Sequence, residues 1–298
     1  MPETTASLIR GVLAKLHKAG YPVAGFDMYV TSTVLPGSGL SSSAACEVLI
    51  GTTGNHLFCQ DKFDAVEIAK IGQAAENEYF GKPCGLMDQT ASSVGDAVAI
   101  DFKDPANPIV RSINADLTGL GLALCIIDCG ADHAALTNEY ASIPEEMSKV
   151  AAHFGKKVLR EVKEEDLLAD LAQVRKEAGD RAVLRALHFY ADDRRAAEEA
   201  DALERKDKEA FLNLVKESGR SSWELLQNCY TMKDFHEQKI TRTLALTQLF
   251  LKKIGAGVCR VHGGGFAGVI AAIVPEKEQD NYVEYISRFV GKENVYPM

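Results

Sequence analysis

A loop of small residues between two regular elements constrains this sequence more than any other feature. Residues 35–45 read LPGSGLSSSAA, with Gly37 and Gly39 one residue apart and three consecutive serines. The preceding stretch, FDMYVTSTV, alternates apolar and polar residues, which predicts a strand with one buried face. Residues 44–58 have the pattern of an apolar helix. We therefore interpret the loop as a strand-to-helix connection and not as a linker between domains.

This position between a strand and a helix suits a phosphate group. Glycines let main-chain N–H groups approach a ligand, and the helix that follows offers unpaired N–H groups and a positive dipole end. Ser41, Ser42 and Ser43 add hydroxyls that can bind phosphate oxygens or Mg²⁺. The alternative is a structural corner, in which serine caps the helix and glycine turns the chain. Neither the dinucleotide fingerprint nor the Walker loop fits, because the third glycine and the lysine that they require are absent.

Two acidic residues stand in the stretch QAAENEYFGKPCGLMDQTASSVGD, residues 73–96. Glu76 lies on a predicted helix, and Asp88 follows a loop of glycine and proline among apolar residues. A partly buried carboxylate can act as a base or bind a cation, so both residues are candidate catalytic groups. The alternatives are that Asp88 caps the next helix and that Glu76 faces water.

Three consecutive glycines, Gly263, Gly264 and Gly265, stand in the sequence VHGGGFAG between two apolar strands. Such a run costs chain entropy unless the backbone bends sharply or lies close to another group. A ligand-facing loop and a tight hairpin are both consistent with this pattern.

The stretch DCGADHAALTNEY, residues 128–140, leaves a buried strand and enters a helix that carries His133 and Tyr140. A histidine near acids and serines would suit a hydrolase triad, but the sequence has no G-x-S-x-G elbow. His133 is not spaced from another His or Cys in a zinc pattern. We expect a structural or substrate-contacting histidine.

Composition excludes some classes of partner. The 298 residues are 46% hydrophobic and carry a net charge of -9, which predicts a globular protein that binds neither nucleic acid nor an anionic membrane. Seven scattered cysteines without a C-x-x-C pair are typical of reduced thiols. No signal-peptide pattern or membrane-length apolar run is present in this sequence. We therefore expect a cytoplasmic protein.

The pattern of elements changes along the chain and predicts two domains, 1–118 and 119–298. Mixed strand and helix patterns dominate before residues 117–121, and helical patterns dominate residues 131–254, with breaks near Gly155, Gly179 and Gly219. The charged runs within the helical region are interpreted as solvated helix faces.

Taken in order, these motifs resemble those of the GHMP small-molecule kinases. PGSGLSSSAA is similar to the family's second motif, P-x-x-x-G-L-x-S-S-A, and VHGGGFAG to its third, glycine-rich motif. QAAE, KPCGLMDQ and DCGADHAALTNEY are similar to stretches of the galactokinase branch of this family. The resemblance implies an α+β, two-domain GHMP kinase-like fold, with a ribosomal-protein-S5-like N-terminal α/β domain and a ferredoxin-like C-terminal α+β domain with extra helices.

The resemblance also implies a reaction, the phosphorylation of a sugar, galactose, at its anomeric C1 hydroxyl by ATP with Mg²⁺. Asp88 would be the base that accepts the proton of that hydroxyl, and Ser43 and Glu76 would hold Mg²⁺. The residues that would bind the ATP phosphates are Pro36, Gly37, Ser38, Gly39, Leu40, Ser41, Ser42, Ser43 and Ala44.

The same resemblance assigns further contacts. Gly85 and Tyr140 match sugar-contacting positions, together with Asp88. Gly263, Gly264 and Gly265 would close the active site from the second domain.

One family motif, G-R-x-N-x-x-G-E-H-x-D-Y, does not occur in these 298 residues. In the family it supplies an arginine at the transferred phosphate and the side chains that grip the sugar. We therefore expect an incomplete N-terminal domain, low activity of the chain alone, and an exposed sheet edge that pairs with a missing N-terminal segment or with a second copy. Two alternatives stay open: a related kinase for N-acetylgalactosamine, arabinose or another small alcohol, and a non-catalytic sensor of sugar and nucleotide.

Overall fold

A computed structural model describes residues 4–32, 34, 41–82, 84–130, 136–266 and 268–298. Residues 36–40 of the predicted phosphate loop and His133 lie outside these described residues. Contacts divide the chain into unit 1, Met1–Asn114, and unit 2, Ala115–Met298. The sequence pattern predicts a boundary after residue 118, whereas the contacts divide the chain after residue 114.

Unit 1 combines packed helices with a short β-hairpin. Its elements are α1 (Thr5–Lys18), α2 (Ser42–Cys59), α3 (Ala65–Ala75), α4 (Met87–Val94), β1 (Ala97–Asp101) and β2 (Ile109–Ile113). Capping boxes at Thr4 and Asp64 fix where α1 and α3 begin, because each side chain accepts a hydrogen bond from a free N–H of the first turn. Val12, Ile50 and Ala75 form the buried centre between these helices. The helices predicted near residues 4–20, 44–58 and 61–81 are thereby confirmed.

The strand predicted from FDMYVTSTV is wrong for its described residues, which show no strand pairing. Its alternation holds only up to Tyr29: the ring of Phe26 packs 5.8 Å from that of Phe58, Met28 packs on the helical core and Tyr29 is 93% exposed, whereas Val30 is 49% exposed. A strand requires a hydrogen-bonded neighbour, and neither β1 nor β2 pairs with this segment. The segment therefore has the side-chain pattern of a strand as far as Tyr29, without the pairing.

Unit 2 contains a four-stranded antiparallel sheet and most of the helices. The strand order is β4-β5-β3-β6. Its elements are β3 (Leu122–Asp128), α5 (Thr137–His153), α6 (Glu164–Ala169), α7 (Leu171–Ala178), α8 (Asp180–Glu204), α9 (Lys208–Ser221), α10 (Lys239–Ile254), β4 (Val258–Val261), β5 (Val269–Pro275), α11 (Gln279–Val290) and β6 (Val295–Pro297).

Both faces of the central strand β3 are buried. Cys125 and Ile127 belong to the cluster formed with α10 and α11, whereas Leu122 and Leu124 pack in a second cluster with residues of α9. Because alternate side chains point to opposite faces, a strand covered on both sides has a continuous apolar sequence. This confirms the buried strand predicted from LALCIIDCG and the α+β class of the fold.

One predicted break in the helical region is wrong. Helices end near Gly155 and Gly179 as expected, but Gly219 lies inside α9. A Cβ at Gly219 would lie 2.9 Å from the Cβ of Arg260, so this glycine allows α9 to approach β4 instead of ending the helix. Among the described residues, no helix combines the length and apolarity needed to cross a bilayer.

Candidate active site

Asp88 lies in the first turn of α4 and contacts the start of α2. The hydroxyl of Ser41 donates a hydrogen bond to Oδ2 of Asp88 at 2.7 Å. Helix α4 has no side-chain cap, so the capping alternative for Asp88 is wrong. The other carboxylate oxygen, Oδ1, has no hydrogen-bond partner among the described residues. One oxygen of Asp88 is thus held by Ser41, and the other meets no hydrogen-bond partner within the described part of the chain.

Ser41 adopts an unusual backbone conformation for a residue with a side chain. Its φ is 55° and its ψ is 45°, in the left-handed region, and its hydroxyl caps no N–H group of α2. The serine-cap interpretation of the loop therefore does not hold at this residue. Strain of this kind costs on the order of 1 kcal/mol or more and is found often at ligand-binding sites.

Glu76 is 2% exposed, so the alternative that it faces water is wrong. It begins a π-helical turn, Glu76–Phe80, that continues α3 and ends at Gly81, and such turns occur frequently at functional sites. Oε2 of Glu76 accepts a hydrogen bond from Nε2 of Gln89 at 3.0 Å. Oε1 lies 3.9 Å from the ammonium group of Lys82, whose side chain is mainly exposed.

A second buried carboxylate, Glu47 of α2, adjoins Glu76. Glu47 is 1% exposed, and its Oε2 accepts a hydrogen bond from the same Nε2 of Gln89, also at 3.0 Å. Burial raises the pKa of Glu47 to about 7, and the neighbouring charge of Glu76 acts in the same direction. Oε1 of Glu47 has no hydrogen-bond partner among the described residues.

The absence of a side chain at Gly72 leaves space for Glu47 and Gln89 between the packed helices. A Cβ at Gly72 of α3 would lie 3.1 Å from Cβ of Glu47 and 3.4 Å from Cγ of Gln89. The loop after Gly81 is tied back to the same helix, because the amide of Gln73 donates to the carbonyl of Cys84 at 3.2 Å. Glu47, Glu76 and Gln89 therefore lie in a closely packed, buried part of unit 1.

These oxygen groups fit a magnesium ion. Mg²⁺ is usually bound through one or two carboxylates together with substrate phosphates and water. Glu76 offers Oε1, which is held in place because Oε2 is bound by Gln89. Ser43 lies in the first turn of α2, one helical turn before Glu47 and on the same face of that helix.

The remaining predicted residues of unit 1 lie around this cluster. Ser42, Ser43 and Ala44 form the first turn of α2, with half-buried serines and a buried alanine. Gly85 is exposed, and a Cβ there would meet no described atom within 4 Å. Packing within the described residues therefore does not require glycine at position 85.

The triple glycine of unit 2 forms the hairpin between β4 and β5. The hydroxyl of Tyr140 donates to the carbonyl oxygen of Gly265 at 2.8 Å, and a Cβ at Gly264 would lie 2.7 Å from the ring of Tyr140. Gly265 has a φ of 76°, and a Cβ there would lie 2.1 Å from the carbonyl oxygen of Asn228. The hairpin alternative is confirmed, and close contacts with Tyr140 and Asn228 require glycine at positions 264 and 265.

Sequence reasoning missed Glu47, Gln89 and Asn228. Glu47 carried the same signal as Asp88, an acid in an apolar stretch (ACEVLIG). Gln89 ends the family-like stretch KPCGLMDQ, but neither it nor Asn228 has a pattern that reveals its contacts, which are with residues distant in sequence: Gln89 with Glu47, and Asn228 Nδ2 with the carbonyl oxygen of Gly264 at 3.1 Å.

Comparisons with known proteins extend these observations. Residues 7–96 match the family described as GHMP kinases N terminal domain. Galactokinase of Actinobacillus pleuropneumoniae serotype 3 is 33% identical over 290 residues, which are 96% of this chain and 70% of that protein. The structure of Lactococcus lactis galactokinase complexed with galactose has a TM-score of 0.77 at 20% identity, and covers 100% of this chain and 75% of that one. Mevalonate kinase of L. major has a TM-score of 0.60 at 13% identity, over 99% and 76% of the two chains.

The fold is that of a GHMP kinase, as the motifs predicted. The identity to the curated relative, sustained over nearly all of this chain, shows further that the chain belongs to the galactokinase family. It is accordingly a phosphotransferase of the sugar-kinase class.

Proposed function

We propose that this chain transfers the γ-phosphoryl group of ATP to the C1 hydroxyl of galactose and forms galactose 1-phosphate. The curated relatives are named galactokinases. The observation that carries the proposal is the 2.7 Å hydrogen bond from Ser41 to Asp88. It brings a half-buried carboxylate to the end of the predicted phosphate loop, where the attacking hydroxyl of a phosphoryl acceptor must lie.

In this mechanism Asp88 accepts the proton of the C1 hydroxyl as the sugar oxygen attacks the γ-phosphorus. The bond between that phosphorus and the bridging oxygen to the β-phosphate breaks, and ADP leaves. Ser41 holds Oδ2 and so directs Oδ1 of Asp88 toward the acceptor. Positioning of this kind is most of what a protein contributes to phosphoryl transfer, because the chemistry needs little covalent assistance.

Magnesium would be held by Ser43 and Glu76, and when bound it neutralises charge on the ATP phosphates. Main-chain N–H groups of residues 37–43 would bind the phosphate oxygens at the N-terminus of α2, with Pro36 and Ala44 at the two ends of this loop. The family resemblance supports two further assignments. Sugar contacts are assigned to Gly85 and Tyr140, and a turn that closes the active site is assigned to Gly263, Gly264 and Gly265. Galactose and MgATP are thus the proposed partners, and a cytoplasmic location is proposed with them.

A coupled assay of ADP release tests the proposal on this chain over a panel of galactose, N-acetylgalactosamine, arabinose and mevalonate. We expect slow turnover with galactose, because the motif that supplies the arginine and the sugar-gripping side chains does not occur in these 298 residues, and a further large loss in Asp88→Asn. Calorimetry with MgATP, run on the same preparation, shows separately whether nucleotide binds. A chain that binds MgATP but phosphorylates another member of the panel, or none, would contradict the proposal.

A further inference from the structure

The amide of Gln89 connects two buried carboxylates that belong to different helices. Its Nε2 lies 3.0 Å from Oε2 of Glu47 and 3.0 Å from Oε2 of Glu76. The orientation of the amide follows from chemistry, because an ionised carboxylate only accepts hydrogen bonds and the amide nitrogen carries two N–H donors. The nitrogen can therefore donate to both carboxylates, and it also lies 3.5 Å from Sγ of Cys84.

These contacts determine the direction in which Oε1 of Glu76 points. Gln89 holds Oε2, so Oε1 is left on the side of Lys82 and the loop that follows the π-helical turn. Without the amide, Oε2 would be a buried acceptor without a donor, on the side of the acidic side chain of Glu47, and the Glu76 side chain would lose the contact that fixes its rotation. A single neutral side chain therefore holds the orientation of Glu76.

Gln89 also follows Asp88 directly in α4. Successive residues of a helix point about 100° apart, so the buried anchor of Gln89 fixes the rotation of α4 while Asp88 meets Ser41. The contacts of Gln89 and Asp88 join α4 to both ends of the candidate site: Glu76 on one side and the start of α2 on the other.

We propose that Gln89 is a positioning residue for magnesium-dependent nucleotide binding: it holds Glu76 in the orientation in which Oε1 binds the metal. The inference rests on the proposed function only for the assignment of Glu76 as a magnesium ligand. Gln89 itself touches neither metal nor substrate and acts through Glu76.

The test replaces Gln89 by methionine, which keeps the length and bulk of the side chain and removes both donors. Calorimetry measures the dissociation constant of ATP with Mg²⁺ and with EDTA. We expect Gln89→Met to weaken MgATP binding by about 10-fold to 100-fold, the usual effect of losing a partner of a metal ligand, and to leave metal-free ATP binding unchanged. A role in packing alone would change both constants together or neither.

Gln73→Met provides a matched control. Gln73 is also a glutamine of this region, and its amide holds the loop carbonyl of Cys84 but touches neither carboxylate. We expect its variant to keep the wild-type ratio of the two dissociation constants. If both variants changed the ratio of the two dissociation constants by the same factor, the inference would be overturned.

A second variant covers the case in which Gln89→Met does not fold. Oε2 of Glu47 and Oε2 of Glu76 both lie 3.0 Å from the same Nε2 of Gln89, so adding Glu47→Gln to Gln89→Met removes one buried carboxylate and returns an amide donor on the side of Glu76. We expect the double variant to fold and to recover part of the magnesium dependence. No recovery in a folded double variant, or a wild-type chain whose ATP affinity does not respond to Mg²⁺, would overturn the inference. A chain that responds to Mg²⁺ but does not phosphorylate galactose would contradict the proposed function alone.

Discussion

At the scale of single residues, Asp88 combines partial burial, one oxygen held by Ser41 and one oxygen without a described partner. A general base in such a position contributes about 10²-fold to 10⁴-fold to the rate. We therefore expect Asp88→Asn to lower kcat for galactose by that factor and to leave the KM for MgATP nearly unchanged. Steady-state kinetics at saturating sugar measure both constants. A variant with wild-type kcat would exclude Asp88 as the base.

Gly265 offers a second test at this scale, on stability instead of activity. A Cβ there would lie 2.1 Å from the carbonyl oxygen of Asn228, and its φ is 76°. Gly263 has a similar φ of 67° but would meet nothing described within 4 Å. We expect Gly263→Ala to cost about 1–2 kcal/mol, the left-handed backbone penalty, and Gly265→Ala to cost clearly more.

Urea denaturation of the two glycine variants measures the difference in the free energy of unfolding. Because both variants introduce the same methyl group at a similar φ, the excess for Gly265→Ala reports the contact with Asn228. Equal losses in the two variants would show that the backbone conformation alone decides the cost.

At the scale of elements, the sequence predicted the helices better than the strand pairing. The apolar periodicity of α1 and α2 is local, so it can be read directly from the sequence. Pairing of the FDMYVTSTV segment depends on a neighbouring strand, which its own residues do not specify. The break predicted at Gly219 was wrong for the same reason. Its close contact is with Arg260 of β4, which the sequence around Gly219 does not specify.

The candidate site shows the same division between local and distant information. Asp88 and Glu76 were predicted because acids in apolar stretches are uncommon, and both do lie at protected positions. The bridge from Gln89 to Glu47 and Glu76 could not be predicted, since it requires the packing of α2, α3 and α4. The π-helical turn at Glu76 has no sequence periodicity of its own to reveal it.

His153, the last residue of α5, joins that helix to α7. Its Nδ1 lies 2.7 Å from Glu177 and its Nε2 lies 2.8 Å from Asp170. The hydrogen bond with Glu177, followed by that with Asp170, raises the pKa of His153 above its ordinary value. A raised pKa in the folded state means that the stabilisation is complete below about pH 6.5 and is lost as the pH rises through the raised value.

We accordingly expect the difference in Tm between wild type and His153→Gln to be large near pH 6 and small near pH 9. Thermal unfolding at a series of pH values measures it. His56→Gln is the control, because His56 is an exposed histidine with a single carboxylate neighbour, Asp61. A difference for His153→Gln that does not depend on pH would contradict the ion-pair interpretation.

At the scale of the whole molecule, the two units differ in how much core each contains. Unit 2 has a four-stranded sheet buried on both faces. Among the described residues, unit 1 has a smaller helical core, a two-stranded sheet and a segment around Tyr29 that pairs with no strand. Two-stranded sheets and small cores are marginally stable, so we expect unit 1 to unfold at a lower denaturant concentration than unit 2.

Two probes separate these transitions. The single tryptophan of the chain, Trp223, lies in unit 2, so its fluorescence reports that unit. Hydrogen exchange with mass spectrometry follows the peptides of α1, α2 and α3 in unit 1. We expect exchange in unit 1 to become fast before the fluorescence changes, and MgATP to narrow the gap, because a ligand stabilises the state that binds it. Coincident transitions with and without MgATP would show that the chain unfolds as one cooperative unit and would contradict this prediction.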